Sequence, residues 1–178
     1  DLIKNGHLIV AGNVTSGKST FLQTMLYSMS CHYSPAELNY YIIDFSSKML
    51  SCFENAPHCG GLVYEGEDDR LSKLFGMIME ILNHRKSQLR GGNFSQYIQV
   101  NGYTMPAILL VIDGYTNFRE KTKEKYTDTL IELSRTAESY GIYMVISSAN
   151  VGSNELQSKI ADNMRQGICL EMGEHMNY

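Results

Sequence analysis

Residues 12–20 read Gly-Asn-Val-Thr-Ser-Gly-Lys-Ser-Thr. Gly12 and Gly17 bracket four residues, and Lys18 and Ser19 follow at once, the spacing of a phosphate-cradling loop. Glycine lets the backbone wrap closely, so that the amides from Asn13 through Ser16 can face an anion. A helix must follow, presenting its positive end to the same anion. Lys18 has the reach for β- and γ-phosphates, and the Ser19 hydroxyl suits magnesium. Thr15 and Ser16 are placed to line the loop around Val14, and Thr20 to sit near the α-phosphate. The cofactors this motif points to are ATP, or a close relative, and Mg2+.

Such a site also needs a carboxylate at the end of a neighbouring strand, to hold magnesium through water. Asp113 closes the run Ile-Leu-Leu-Val-Ile-Asp at residues 108–113. Asp113 and Ser19 are therefore the candidate metal residues. Many ATPases of this kind carry a Glu just after that Asp, where it orients or activates water. Here the position is Gly114, and nearby Tyr115 and Asn117 are poor bases at neutral pH. The expectation is phosphate binding with weak hydrolysis, unless Glu120 or Asp44 substitutes.

The elements that position these residues follow from periodicity. Residues 7–11 predict a strand leading into the glycine loop, and 19–30 a helix with Phe21, Met25 and Met29 at its four-residue repeat. Residues 40–44 and 62–64 predict two more strands. Residues 68–90 predict a long helix with acidic residues at its start, stopped by Gly91-Gly92-Asn93. The apolar run 107–113 predicts a central strand buried on both faces. Residues 123–140 predict a helix, 143–148 a strand, 155–164 a helix and 168–171 a last strand. Strands alternating with helices predict an α/β fold: a P-loop NTPase (RecA-like) three-layer sandwich around a mainly parallel sheet.

The chain has 178 residues, 43% hydrophobic and 19% charged, with a net charge of -4. That length suits one domain, 1–178, with a sizeable core. The acidic balance argues against a dedicated nucleic-acid binder. No apolar run approaches the ~20 residues that span a bilayer. The chain opens at Asp1 rather than Met, which predicts a segment of a longer protein with membrane spans or sister domains outside it. Cys31, Cys52, Cys59 and Cys169 include no Cys-x-x-Cys pair, which argues against zinc and for a reducing cytosol. His58 and Cys59 are read as loop packing, Asp44 as either near the nucleotide or a solvated strand end, and residues 121–125 as a solvated mixed-charge loop.

The order of these features resembles the FtsK/SpoIIIE ATPases. Their loop, Gly-x-Thr-Gly-Ser-Gly-Lys-Ser, is matched by Gly12 through Ser19. Their Asp-Pro-Lys strand end keeps only Asp44. Their Leu-Pro-His element is matched by Ala56-Pro57-His58, and their Gly-Ile-His strand by Gly141-Ile142-Tyr143. A Glu-x-x-x-Arg helix motif is matched loosely at residues 80–89, with Arg85. The departures fall on hydrolysis: Gly114 for the Glu, Ala149 for the Gln of Ala-Thr-Gln, and Glu138 for an Arg that often acts on a neighbouring subunit's ATP, with Arg135 close by.

This pattern is similar to the degenerate C-terminal modules of type VII secretion motors, the EssC/EccC family, the third module over the second. The run Ile112 through Arg119 carries that likeness. The resemblance implies an ATP-binding module with a degenerate hydrolytic site, acting in substrate recruitment or motor regulation. It implies WXG100-type substrates and sister ATPase domains as partners, and the cytoplasmic side of a membrane-anchored bacterial protein. The alternatives are an active FtsK-like motor completed by neighbouring domains, or a DNA translocase domain.

Overall fold

A computed structural model describes residues 6–149 and 156–171. Six strands form one sheet: β1 (Leu8–Ala11), β2 (Leu38–Asp44), β3 (Cys59–Tyr64), β4 (Ala107–Asp113), β5 (Ile142–Ser148) and β6 (Gln166–Cys169). Their order is β3-β2-β4-β5-β1-β6, and every neighbouring pair is parallel. All carboxyl ends therefore share one edge, where open parallel sheets bind their ligands. The helices are α1 (Lys18–His32), α2 (Asp68–Leu89), α3 (Phe94–Asn101), α4 (Tyr115–Lys121), α5 (Thr127–Thr136) and α6 (Ser158–Ala161).

Alternation along β4 explains the three layers. Ala107, Leu109 and Val111 pack with Leu22 and Leu26 of α1 on one face. Ile108, Leu110 and Ile112 pack with Leu71, Ile78 and Leu82 of α2 and Leu130 and Leu133 of α5 on the other. All of β4 is buried, as its unbroken apolar run requires.

Arg85 closes the edge opposite the strand carboxyl ends. It is 4% exposed. Its guanidinium donates to the carbonyls of Tyr140 (2.8 Å), Gly141 (3.1 Å) and Pro106 (2.6 Å), which lie just before β5 and β4. The Phe94 ring covers it at 5.3 Å. Burial lowers its pKa to about 10, which leaves it charged at neutral pH.

His7 is buried beside β5, where its Nδ1 accepts the Met144 amide proton at 2.9 Å. An accepting Nδ1 places the ring proton on Nε2. Burial holds the pKa down at about 4. The unfolded chain takes up this proton first, so full stability is present above pH ~6.5 and is lost as pH falls toward 4. We expect about 2 kcal/mol less stability at pH 5 than at pH 7 from this group. Urea denaturation at both pH values checks it, the difference shrinking in His7→Gln.

Several elements differ from the periodicity. The helix expected over 123–140 starts only at Thr127, because Lys123 and Glu124 are left-handed, with φ of 51° and 59°. It ends at Thr136 and gives way to a tighter turn, Ala137–Tyr140. The helix expected over 155–164 is four residues long, Ser158–Ala161; residue 155 lies outside the described residues. The third strand starts earlier, at Cys59, and the sixth spans Gln166–Cys169. Helices α3 and α4 were not visible in the pattern. Asn93 caps α3 by accepting the Gln96 amide at 2.8 Å. Asn93→Ala should cost about 1 kcal/mol. This would appear as a melting temperature lower by roughly 3 °C.

Candidate nucleotide-binding site

The glycine loop joins β1 to α1 at the carboxyl edge of the sheet. It is stitched down on two sides. Gly12 N–H donates to Ser148 O (3.2 Å), Asn13 N–H to Glu171 O (2.9 Å), and Leu170 N–H to Ala11 O (2.8 Å). Ser16 N–H closes the loop on Asn13 O at 3.2 Å. Thr15 and Gly17 take left-handed φ of 68° and 93°, turning the chain into the helix. The first turn of α1 has no acidic residue and no side-chain cap, so its end is left to an anion. Lys18 Nζ donates to Gly12 O and Asn13 O, each at 2.7 Å, and so spans the mouth of the loop. Val14 is 82% exposed at the loop tip. Thr20 also lies at the surface.

Asp113 faces the loop from the end of β4. Ser19 Oγ donates to its Oδ2 at 2.7 Å, and Ser147 Oγ donates to its Oδ1. Burial raises its pKa, opposed by those two hydroxyls and by Lys18, while Asp44 raises it further. Ser147 was missed by sequence reasoning; a Ser pair closing an apolar strand is the signal that could have found it.

Ser19 and Ser147 border a cavity of about 500 Å³, and buried Asp113 is tied to its wall through the hydrogen bonds from both. Its walls include Thr15, Lys18, Ser19, Phe45, Tyr115 and Ser148. Two buried hydroxyls at the site, Ser16 Oγ and Ser148 Oγ, have no hydrogen-bond partner among the described residues. Unpaired buried donors beside a cationic loop fit a polyanionic ligand. Lys18 and the helix end can hold phosphate oxygens, and Ser19 with Asp113 can hold a magnesium ion or its water. Gly12, Asn13 and Ser16 form the back of the loop, with the Gly12, Asn13 and Ser16 amides already paired within the protein.

The replacements proposed for the missing Glu do not assemble. Gly114 has φ 80°, and a Cβ there would lie 2.9 Å from Phe45 O. Asp44 is neither solvated nor free. It is 1% exposed and accepts the amides of Ser46 (3.0 Å), Lys48 (3.3 Å) and Leu50 (3.5 Å). Those bonds shape the loop after β2. Glu120 is exposed on α4 and does not border the cavity. Asn117 is committed to Phe45 O (2.8 Å) and Glu65 (3.0 Å). Glu138 pairs with Arg165 at 3.3 Å and lies against Gly6, beyond the amino end of β1. It therefore sits at the edge of the sheet away from the loop, and Arg135, ahead of the same strand β5, is exposed.

His58 Nε2 meets Tyr33 O at 2.7 Å and its ring stacks on Tyr40, a packing role. All four cysteines are free thiols, and among the described residues no cluster of His, Cys, Asp and Glu could hold a metal. Among them, too, no helix is long and apolar enough to cross a membrane.

The fold is shared with known proteins. Over 178 residues the chain is 27% identical to the type VII secretion system protein EssC of Staphylococcus aureus strain MRSA252, covering 98% of this chain and 12% of that protein. It is 26% identical over 180 residues to the ESX-1 secretion system protein EccCb1 of Mycolicibacterium smegmatis strain MKD8, covering 95% of this chain and 30% of that protein. The chain thus spans a minor part of the relatives it matches. Among solved structures, EccC of Thermomonospora curvata (ATPases 2 and 3), in complex with a signal sequence peptide, superposes with TM-score 0.89 at 26% identity. That match covers 98% of this chain and 33% of the other. EssC of Geobacillus thermodenitrificans (ATPases 2 and 3) shares the fold, with TM-score 0.88 at 22% identity over 96% of this chain and 33% of that one. The sequence model of the FtsK/SpoIIIE family matches residues 1–158, and the chain belongs to that family.

Proposed function

We propose that this chain is one Mg2+·ATP-binding module of a type VII secretion motor, built to retain nucleotide and poor at cleaving it. The observation that carries the reading is a contrast within one site. Lys18 and Ser19 line the cavity, with Asp113 hydrogen-bonded to Ser19 at its wall, whereas the place for a water-orienting Glu is a left-handed glycine with no room for a side chain. In this reading the loop amides other than those of Gly12, Asn13 and Ser16, the α1 end and Lys18 bind the phosphates, with the side chains of Thr15, Ser16 and Thr20 alongside. Ser19 ligates magnesium and Asp113 holds its water. Bound magnesium would neutralise phosphate charge. The protein residues would orient the nucleotide, and none of the acidic residues weighed above (Asp44, Glu120, Glu138) is placed to take a proton from water.

A motor module that binds without rapid turnover suits substrate recruitment or regulation of its neighbours. The likeness to EssC and EccCb1 supports sister ATPase domains as partners, on the cytoplasmic side of a membrane-anchored bacterial protein. The signal sequence peptide bound by the Thermomonospora relative supports a secretion substrate as the other partner, and we take that substrate to be of the WXG100 type.

The test is ATP affinity and steady-state turnover of this segment, alone and joined to its upstream neighbour. The expected result is binding in both forms and very slow turnover in both. Turnover that switches on in the joined form and needs Asp113 would instead make it an active motor completed in assembly.

A further inference from the structure

We propose that Ser147 is the positioning residue that fixes Asp113 for magnesium, a role that rests on the nucleotide-binding reading and deepens it. Ser147 is fully buried on β5, the strand beside β4. Gly114 N–H donates to its oxygen at 2.9 Å. A hydroxyl that accepts there must send its single proton elsewhere, and it goes to Asp113 Oδ1. Ser19 donates to Oδ2 at 2.7 Å. Each carboxylate oxygen is thus held by one hydroxyl, one from the phosphate-loop helix and one from β5.

Two consequences follow from that pairing. Rotation of the carboxylate would break both bonds, so its plane is fixed. The Ser19 proton is also committed to Asp113, which leaves the Ser19 lone pairs for a cation in the cavity. The chain Gly114 N–H, Ser147 O–H, Asp113 polarises in one direction, each bond strengthening the next. It also ties the glycine turn after β4 to the metal residue, so the feature that removes the water-orienting side chain is part of what steadies the cation site.

The experiment is a Mg2+ titration of ATPγS binding by the chain and by Ser147→Ala, with parallel binding in EDTA and a melting curve for each. The Mg2+ concentration for half-maximal binding should rise about 10- to 100-fold, the range for residues that orient metal ligands. Affinity in EDTA should change by less than about twofold. Equal losses with and without Mg2+, or an unchanged Mg2+ requirement, would overturn the proposal. In an Asp113→Asn background, Ser147→Ala should add less than about a twofold change. A further large loss there would mean that Ser147 acts through the strand rather than through Asp113, and would also overturn it. If the unmodified chain binds no ATPγS under either condition, the nucleotide-binding reading fails and takes this one with it.

Discussion

Lys18→Ala should lower Mg2+·ATP affinity about a hundredfold, roughly 3 kcal/mol, with little change in melting temperature. Lys18 Nζ already sits at the loop mouth, 2.7 Å from each of Gly12 O and Asn13 O. Those contacts hold the ammonium where phosphate oxygens would lie, so little ordering remains to be done on binding. Its loss removes the charge and leaves two carbonyls turned toward the ligand. The side chain is only partly buried, so the fold should tolerate the change. Isothermal titration calorimetry measures the affinity, and a parallel melt separates binding from stability.

Gly114→Glu should fail to restore hydrolysis and should destabilise the fold by about 3 kcal/mol. The loss would lower the melting temperature by roughly 10 °C. Two terms add. A non-glycine residue at φ 80° carries about 1–2 kcal/mol of backbone strain. Its Cβ would then lie 2.9 Å from Phe45 O, a main-chain atom held by the Asn117 amide. Relief requires moving the end of β2, the strand that pairs with β4. A Glu at position 114 would therefore require a rebuilt turn rather than a single exchanged side chain. A thermal melt and a phosphate-release assay on the variant check both halves.

The parts of the site that the sequence made legible are those encoded locally. The glycine loop, the apolar run of β4 and Asp113 at its end are each readable from a few neighbouring residues. The structure brings Ser19 Oγ to 2.7 Å from Asp113 Oδ2. Other features depend on distant partners. Asp44 reads as an isolated carboxylate at a strand end, but its role is set by three amides of the loop that follows it. Ser147 looks like a small residue closing a strand, and its meaning comes from Asp113 and Gly114 on the next strand. The break before α5 is made by Lys123 and Glu124, which carry no glycine or proline signal for their left-handed turn. Helix α4 is seven residues long, too short for periodicity to register.

Glu138 shows the same limit in another form. The resemblance by motif implies an Arg acting between subunits at this position. Its partner here is Arg165, at the sheet edge away from the loop. Any cation acting on this nucleotide from within the chain would have to come from elsewhere than that position.

Retention of intact nucleotide can be measured directly. The chain is incubated with ATP and Mg2+ for an hour, separated from free nucleotide by gel filtration, and the bound nucleotide is extracted and identified by chromatography. The expected result is bound nucleotide near one per chain, recovered mainly as ATP. Recovery mainly as ADP, with release of phosphate that Lys18→Ala abolishes, would contradict it.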